Sequence, residues 1–136
     1  MQQEMGVLAT NKRELNLYYN PNSSVGMQTL AFVEASKYKV LAVDLTQTKV
    51  TGTQWAELAE RLGKPIKALI NTDHPDFIHA YGKNHDLESD DDWLKVLENN
   101  PKVVTQPILV HGDQALQVSN PAMVLEFLEK QWTISG

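Results

Sequence analysis

Residues Glu14-Leu-Asn-Leu-Tyr-Tyr-Asn-Pro-Asn-Ser-Ser-Val-Gly-Met-Gln-Thr-Leu30 decide the fold. Glu14 to Tyr19 alternates apolar with polar side chains, the period of a β-strand with one face on a core. Asn20-Pro21 stops it, because proline brings no N–H to a ladder. Ser23 and Ser24 then offer hydroxyls to cap a helix. Met27, Leu30, Ala31, Phe32 and Val33 supply its apolar face, and it ends near Ser36. Tyr38-Lys-Val-Leu-Ala-Val-Asp44 follows as a β-branched apolar run of strand length. Such a run predicts a strand in parallel pairing and buried on both faces, so the chain opens as a βαβ unit.

Outward from this unit the pattern becomes helical. Trp55, Leu58, Ala59 and Leu62 stand at i, i+3, i+4 and i+7 behind a cap at Thr51 or Thr53, and Gly63 and Pro65 close the segment. Ile66 to Ile70 predicts a further helical turn, and Pro75 to Tyr81 a short helix ended by Gly82. Ser89-Asp-Asp-Asp92 has capping-box form, with carboxylates in a first turn that the helix dipole favours, before Trp93, Val96 and Leu97. Asn99-Asn100-Pro101 stops that helix. Pro107 to His111, the turn Gly112-Asp113 and Gln114 to Ser119 predict a hairpin, and Asn120-Pro121 opens a last helix with Met123, Val124, Phe127 and Leu128 inward. The order predicts an α/β, thioredoxin-like fold: a four-stranded mixed sheet flanked by helices, with a helical insert between strands two and three. Its 136 residues suit one core, giving a single domain over 13–131 behind a loose tail of residues 1–12, where Val7 and Leu8 could add a short edge pairing.

Composition excludes several functions. The chain has no cysteine, which removes disulfides, thiolate catalysis, iron–sulfur ligation and cysteine zinc sites. Twelve Lys and Arg against 17 Asp and Glu give a net charge of -5, the wrong sign for nonspecific nucleic-acid binding. No apolar run reaches signal-peptide or membrane-spanning length, so a soluble, cytoplasmic protein without nucleic-acid or membrane partners is expected.

Three stretches, Tyr18 to Leu30, Asn100-Pro-Lys-Val-Val-Thr-Gln-Pro-Ile-Leu-Val110 and Ala115-Leu-Gln-Val-Ser-Asn-Pro121, resemble in order and spacing the arsenate reductase family, which also holds the Spx-type regulators. The likeness runs from about Glu14 to Lys130. It implies that Asn20-Pro21 leads into the active-site loop and that Ser23, with Ser24 beside it, stands where the family has its cysteine at the start of helix one. By the same alignment Asn71, Gln106 and Asn120 take the places of arsenate-clamping arginines, and Met27 that of a further arginine on helix one. Pro107 matches the proline before strand three, implying a cis bond after Gln106. The four polar residues Ser23, Asn71, Gln106 and Asn120 would then converge around the N-terminus of helix one as a neutral polar site. Without thiolate or fixed positive charge, both attack on arsenate and its electrostatic recognition are missing.

The resemblance therefore implies a non-catalytic relative with a binding or regulatory role, needing no cofactor, whose partner is a protein or a small neutral polar ligand. The alternatives are an Spx-like interaction module, or a glutathione-dependent enzyme that binds the thiol beside Pro107 and activates it through Ser23 or Tyr19. Ser23 as a nucleophile lacks a base nearby in sequence, and capping is the plainer role. His74, His79, His85 and His111 suggest a metal, but the i, i+5 spacing of His74 and His79 and the intervening Pro75 put the rings on different faces; they read as solvated loop histidines. Glu88, Asp90, Asp91 and Asp92 lack the alternation of a calcium loop and read as a helix start. Trp55, Trp93 and Trp132 read as core or insert packing, with Trp132 the most exposed.

Overall fold

The structure, a computed structural model, describes residues 14–135, with side chains to Glu129. Expectations for the tail of residues 1–12 and for the Trp132 side chain lie outside the described residues. The described residues form two compact units, one of residues 14–44 with 106 onward and one of residues 45–105.

The first unit holds the sheet. Its strands β1 (Glu14–Tyr19), β2 (Lys39–Asp44), β3 (Ile108–His111) and β4 (Gln114–Gln117) lie in the order β2-β1-β3-β4. β1 runs parallel to β2, with Leu15 beside Val40, and antiparallel to β3, with Tyr18 beside Ile108. β3 and β4 are the expected hairpin, turning at Gly112 with φ 62, a left-handed geometry that glycine adopts without a Cβ penalty. This is the mixed sheet of a thioredoxin-like fold. Helices α1 (Ser24–Glu34) and α5 (Ala122–Ser135) flank it, and Val33, Val124 and Leu128 from them enclose Leu15, Leu17, Tyr19, Leu109 and Val118 in one apolar cluster.

Four expectations need correction in this unit. The apolar face of α1 is not Met27, Ala31 and Phe32, which are exposed; the buried positions are Gly26, Thr29 and Val33. The helix turns its smallest side inward because at Gly26 it passes so close to the Asn20 carbonyl oxygen that a Cβ would lie 2.6 Å from it. β2 is not buried on both faces. Among the described residues it ends the sheet, paired with β1 alone, its Val40 packed on the core while Lys39, Leu41 and Ala42 are exposed. The Gln106–Pro107 peptide is trans, the isomer that an X–Pro bond favours by about 0.5–1 kcal/mol; Pro107 nevertheless shapes the strand start, its carbonyl accepting the Val118 N–H at 2.8 Å. His111 is no loop histidine but a buried strand residue, with the rings of Tyr38 and Phe127 edge-on at 5.1 and 6.5 Å.

The second unit is helical: α2 (Gly52–Leu62), a 3-10 turn (Ile66–Leu69), α3 (Pro75–Tyr81), α4 (Asp90–Asn99) and a second turn (Pro101–Val103). Thr51 and Ser89 each complete a capping box, and Gly63 ends α2 in the left-handed conformation at φ 68. Trp55, Leu58 and Ala59 of α2 and Trp93, Val96 and Leu97 of α4 are buried, as their spacing predicts. The Glu98 carboxylate of α4 accepts the Gly52 N–H at 2.7 Å, a first-turn donor that the Thr51 capping box leaves over, and ties the two helices. Phe77, fully buried on α3, lies among Tyr81, His85 and Trp93.

The Asp92 carboxylate accepts the N–H groups of Glu88 at 3.1 Å and Ser89 at 3.2 Å. These two bonds hold its pKa below the usual carboxylate range. A folded pKa lowered in this way favours the native state above the ordinary carboxylate value and ceases to do so as pH falls through the lowered one. Amide exchange at Glu88 and Ser89, corrected for intrinsic rate, is therefore expected to accelerate below about pH 4 and stay flat from there to neutrality. Protection that does not change across the acid range would contradict the capping role.

Candidate functional site

The register gathers one end of the sheet. β1 ends at Tyr19, β3 begins beside it after Gln106-Pro107, and β4 ends at Gln117 opposite Ile108, so the Asn20–Ser23 loop, Gln106-Pro107 and Asn120 all leave the sheet at the same end. Ser23, Gln106 and Pro107 are half-buried or buried, Asn20 is buried, and Asn120 is exposed. Asn71 belongs to the helical unit, where its N–H donates to the Val103 carbonyl at 2.8 Å beside a bridge between Ile70 and Val104.

The loop is closed by its own groups. The Ser23 N–H donates to the Asn20 carbonyl at 2.9 Å, and the Asn20 side-chain oxygen accepts the Asn22 N–H at 2.9 Å. Ser23, extended at φ -94 and ψ 131, is the N-cap of α1, and its Oγ accepts the Gly26 N–H at 3.1 Å. Ser24, the first residue of α1, is exposed and its hydroxyl accepts from the Gln28 amide at 3.3 Å. Met27 is exposed on the same turn, which carries no charged side chain. The amide oxygens of the other arginine-equivalent asparagines are likewise engaged locally: Asn71 Oδ1 accepts the Asp73 N–H at 3.0 Å and Asn120 Oδ1 the Ala122 N–H at 2.9 Å.

What remains at this end of the sheet is a helix N-terminus with neutral donors and no cation from Ser23, Gln106 or Asn120. A helix dipole alone is worth about 0.3–1 kcal/mol to an anion, far below what an arginine clamp supplies. Tyr19, at the end of β1, has its phenol pKa raised by burial, with the carboxylates of Asp44 and Glu34 adding to the effect. The phenol therefore stays neutral at neutral pH.

The histidines do other work. His74 is the N-cap of α3, its Nδ1 accepting the Asp76 N–H at 3.0 Å, and His85 Nδ1 accepts the Leu87 N–H at 3.3 Å with its ring against Phe77 and Trp93. Among the described residues no group of three His, Asp or Glu is placed to hold a metal, and no helix is long and apolar enough to cross a membrane. Gly26 is the position that sequence reasoning missed: a glycine in the first turn of a helix, where propensity disfavours it, was the available signal.

No family model matches the chain. An arsenate reductase of Haemophilus influenzae is 25% identical over 113 residues, spanning 82% of this chain and 97% of that protein. The solved arsenate reductase of Vibrio cholerae superposes with a TM-score of 0.74 at 24% identity, over 85% of this chain and 98% of that one. A candidate arsenate reductase of Yersinia pestis gives a TM-score of 0.72 at 27% identity, over 82% and 98%. Sheet order, the Asn-Pro loop entering α1 and these likenesses together relate this cysteine-free chain to the arsenate reductase family.

Proposed function

We propose that this chain is a non-catalytic relative of the arsenate reductases that acts by binding, and that it performs no thiol chemistry. The observation that carries this reading is Ser23: where the resemblance implies a nucleophilic cysteine, a hydroxyl oxygen is spent on capping α1 through the Gly26 N–H. The matched arginine positions support it, because Met27, Asn71, Gln106 and Asn120 carry no charge to hold an oxyanion. The ligand that suits neutral donors is a neutral polar group, from a small molecule or from the surface of a partner protein.

The test is an arsenate reductase assay of the unaltered chain and of Ser23→Cys, with glutathione and glutaredoxin as reductants. Neither is expected to turn over above blank: the first lacks a nucleophile, and the second, with its thiol restored, still lacks the clamp. Arsenate is expected to bind both in the millimolar range or more weakly, as a dipole without counter-charges allows. Turnover by the unaltered chain overturns the proposal. Turnover by Ser23→Cys alone shows that the arginine-equivalent positions are misplaced.

A further inference from the structure

We propose that the start of α3 is a pH-sensitive clasp, closed while His74 is neutral and opened when His74 takes up a proton. The proposal is independent of the reading of the Asn20–Ser23 loop.

The chain repeats one local device, in which the side chain before a proline accepts the backbone N–H of the residue after it. Asn20 does this for Asn22 at 2.9 Å across Pro21, and Asn120 for Ala122 at 2.9 Å across Pro121, each through its amide oxygen. At α3 the same role falls to a titratable group: His74 Nδ1 accepts the Asp76 N–H at 3.0 Å across Pro75. An amide oxygen keeps its lone pairs at every pH, whereas Nδ1 accepts only in the neutral ring that carries its hydrogen on Nε2. The cap is therefore made above the imidazole range and lost as pH falls through it, about 6.5 for an ordinary histidine. Protonation also sets a positive charge at a helix N-terminus, where the dipole opposes it.

The surroundings give the imidazolium another partner. The Asp76 carboxylate lies 3.9 Å from Nδ1, and Lys102 of the second 3-10 turn stands 3.6 Å from the same carboxylate. A protonated ring turns from the Asp76 N–H toward that carboxylate and shares it with Lys102. Asp73 adjoins His74 in the loop. α4 packs on α3 through Trp93 and Phe77, and its acids are engaged elsewhere: Asp91 with Lys95 at 3.3 Å, Asp92 in its capping box and Glu98 at Gly52. His85, edge-on to Phe77, is the second imidazole against this helix, and His79 is exposed in its last turn. The His74 side chain is 27% exposed, so a proton reaches it without prior opening. With only seven residues, α3 has little propensity of its own to offset a lost cap.

The test is amide exchange, corrected for intrinsic rate, from about pH 7.5 to about pH 5.5, either side of the imidazole range. Protection of the Asp76 N–H, and of the Ile78 N–H that donates to the His74 carbonyl at 3.0 Å, is expected to fall about five-fold, the change that losing an N-cap brings. The Asn22 and Ala122 amides, capped by asparagines, stay level and serve as internal references. His74→Asn, which installs at α3 the cap that the chain uses before Pro21 and Pro121, is expected to hold both amides at the same protection across the range. His74→Ala is expected to leave them weakly protected throughout, and His79→Gln to keep the response of the unaltered chain. Protection at Asp76 that does not change with pH overturns the proposal. So does a loss of equal size in His74→Asn, which would assign the response to another group such as His85, or a loss confined to Asp76, which would mean that the helix start stays closed.

Discussion

Phe77→Ala is expected to destabilise the chain by about 3–5 kcal/mol, the range for truncating a buried aromatic ring. The ring is fully buried, with Tyr81 at 5.1 Å, His85 at 5.3 Å and Trp93 stacked at 6.2 Å with 14° between planes. These neighbours come from α3 itself, from the following loop and from α4, so one side chain joins three segments. α3 has seven residues, too few to persist on helical propensity. Without Phe77 the segment keeps the His74 cap but loses its anchor. Chemical denaturation followed by tryptophan fluorescence measures the loss, and amide exchange should show α3 opening first. A loss below about 1 kcal/mol would mean that the cavity collapses without cost and that the aromatic cluster is not what holds α3.

Gly26→Ala is expected to destabilise by up to about 2 kcal/mol, although by propensity it should stabilise. In an ordinary helix interior the change gains about 1 kcal/mol. Here the added Cβ would lie 2.6 Å from the Asn20 carbonyl oxygen, a backbone atom, so relief requires the loop or the helix to move. Overpacking of this kind costs about 1–3 kcal/mol and sometimes more, enough to reverse the propensity gain. Moving Asn20 also disturbs its acceptance of the Ser23 N–H, while moving the helix stretches the Ser23 cap. Equilibrium urea denaturation of the two proteins decides the sign, and a more stable variant would refute the close approach.

Legibility in the sequence followed how far each element's stability is local. α2 and α4 were readable because their caps, Thr51 and Ser89, and their inward stripes lie within one segment. The hairpin was readable from Gly112-Asp113. The inward face of α1 was not, because it is chosen by the passage of Gly26 against Asn20, and a count of apolar side chains gives that glycine no weight. Nor was the place of β2 in the sheet: Val40 to Val43 has the same composition in a central strand or at an edge, and only strand order tells them apart. His111 shows the same limit from the polar side, since a titratable residue beside a turn reads as solvated until Tyr38 and Phe127 pack on it. The candidate positions Asn20, Ser23, Gln106, Pro107 and Asn120 came from resemblance, and the sheet register sets them at one end; no periodicity could have done so.

The bonds that close the Asn20–Ser23 loop bear on how anything could dock there. Asn22 N–H to Asn20, Ser23 N–H to the Asn20 carbonyl and Gly26 N–H to Ser23 Oγ are all made within the chain itself. The loop is preorganised. An arriving group meets a finished surface, and little of the contact energy goes into ordering the backbone. Selectivity at such a surface comes from shape and donor placement, and its occupancy leaves almost no conformational record in the loop.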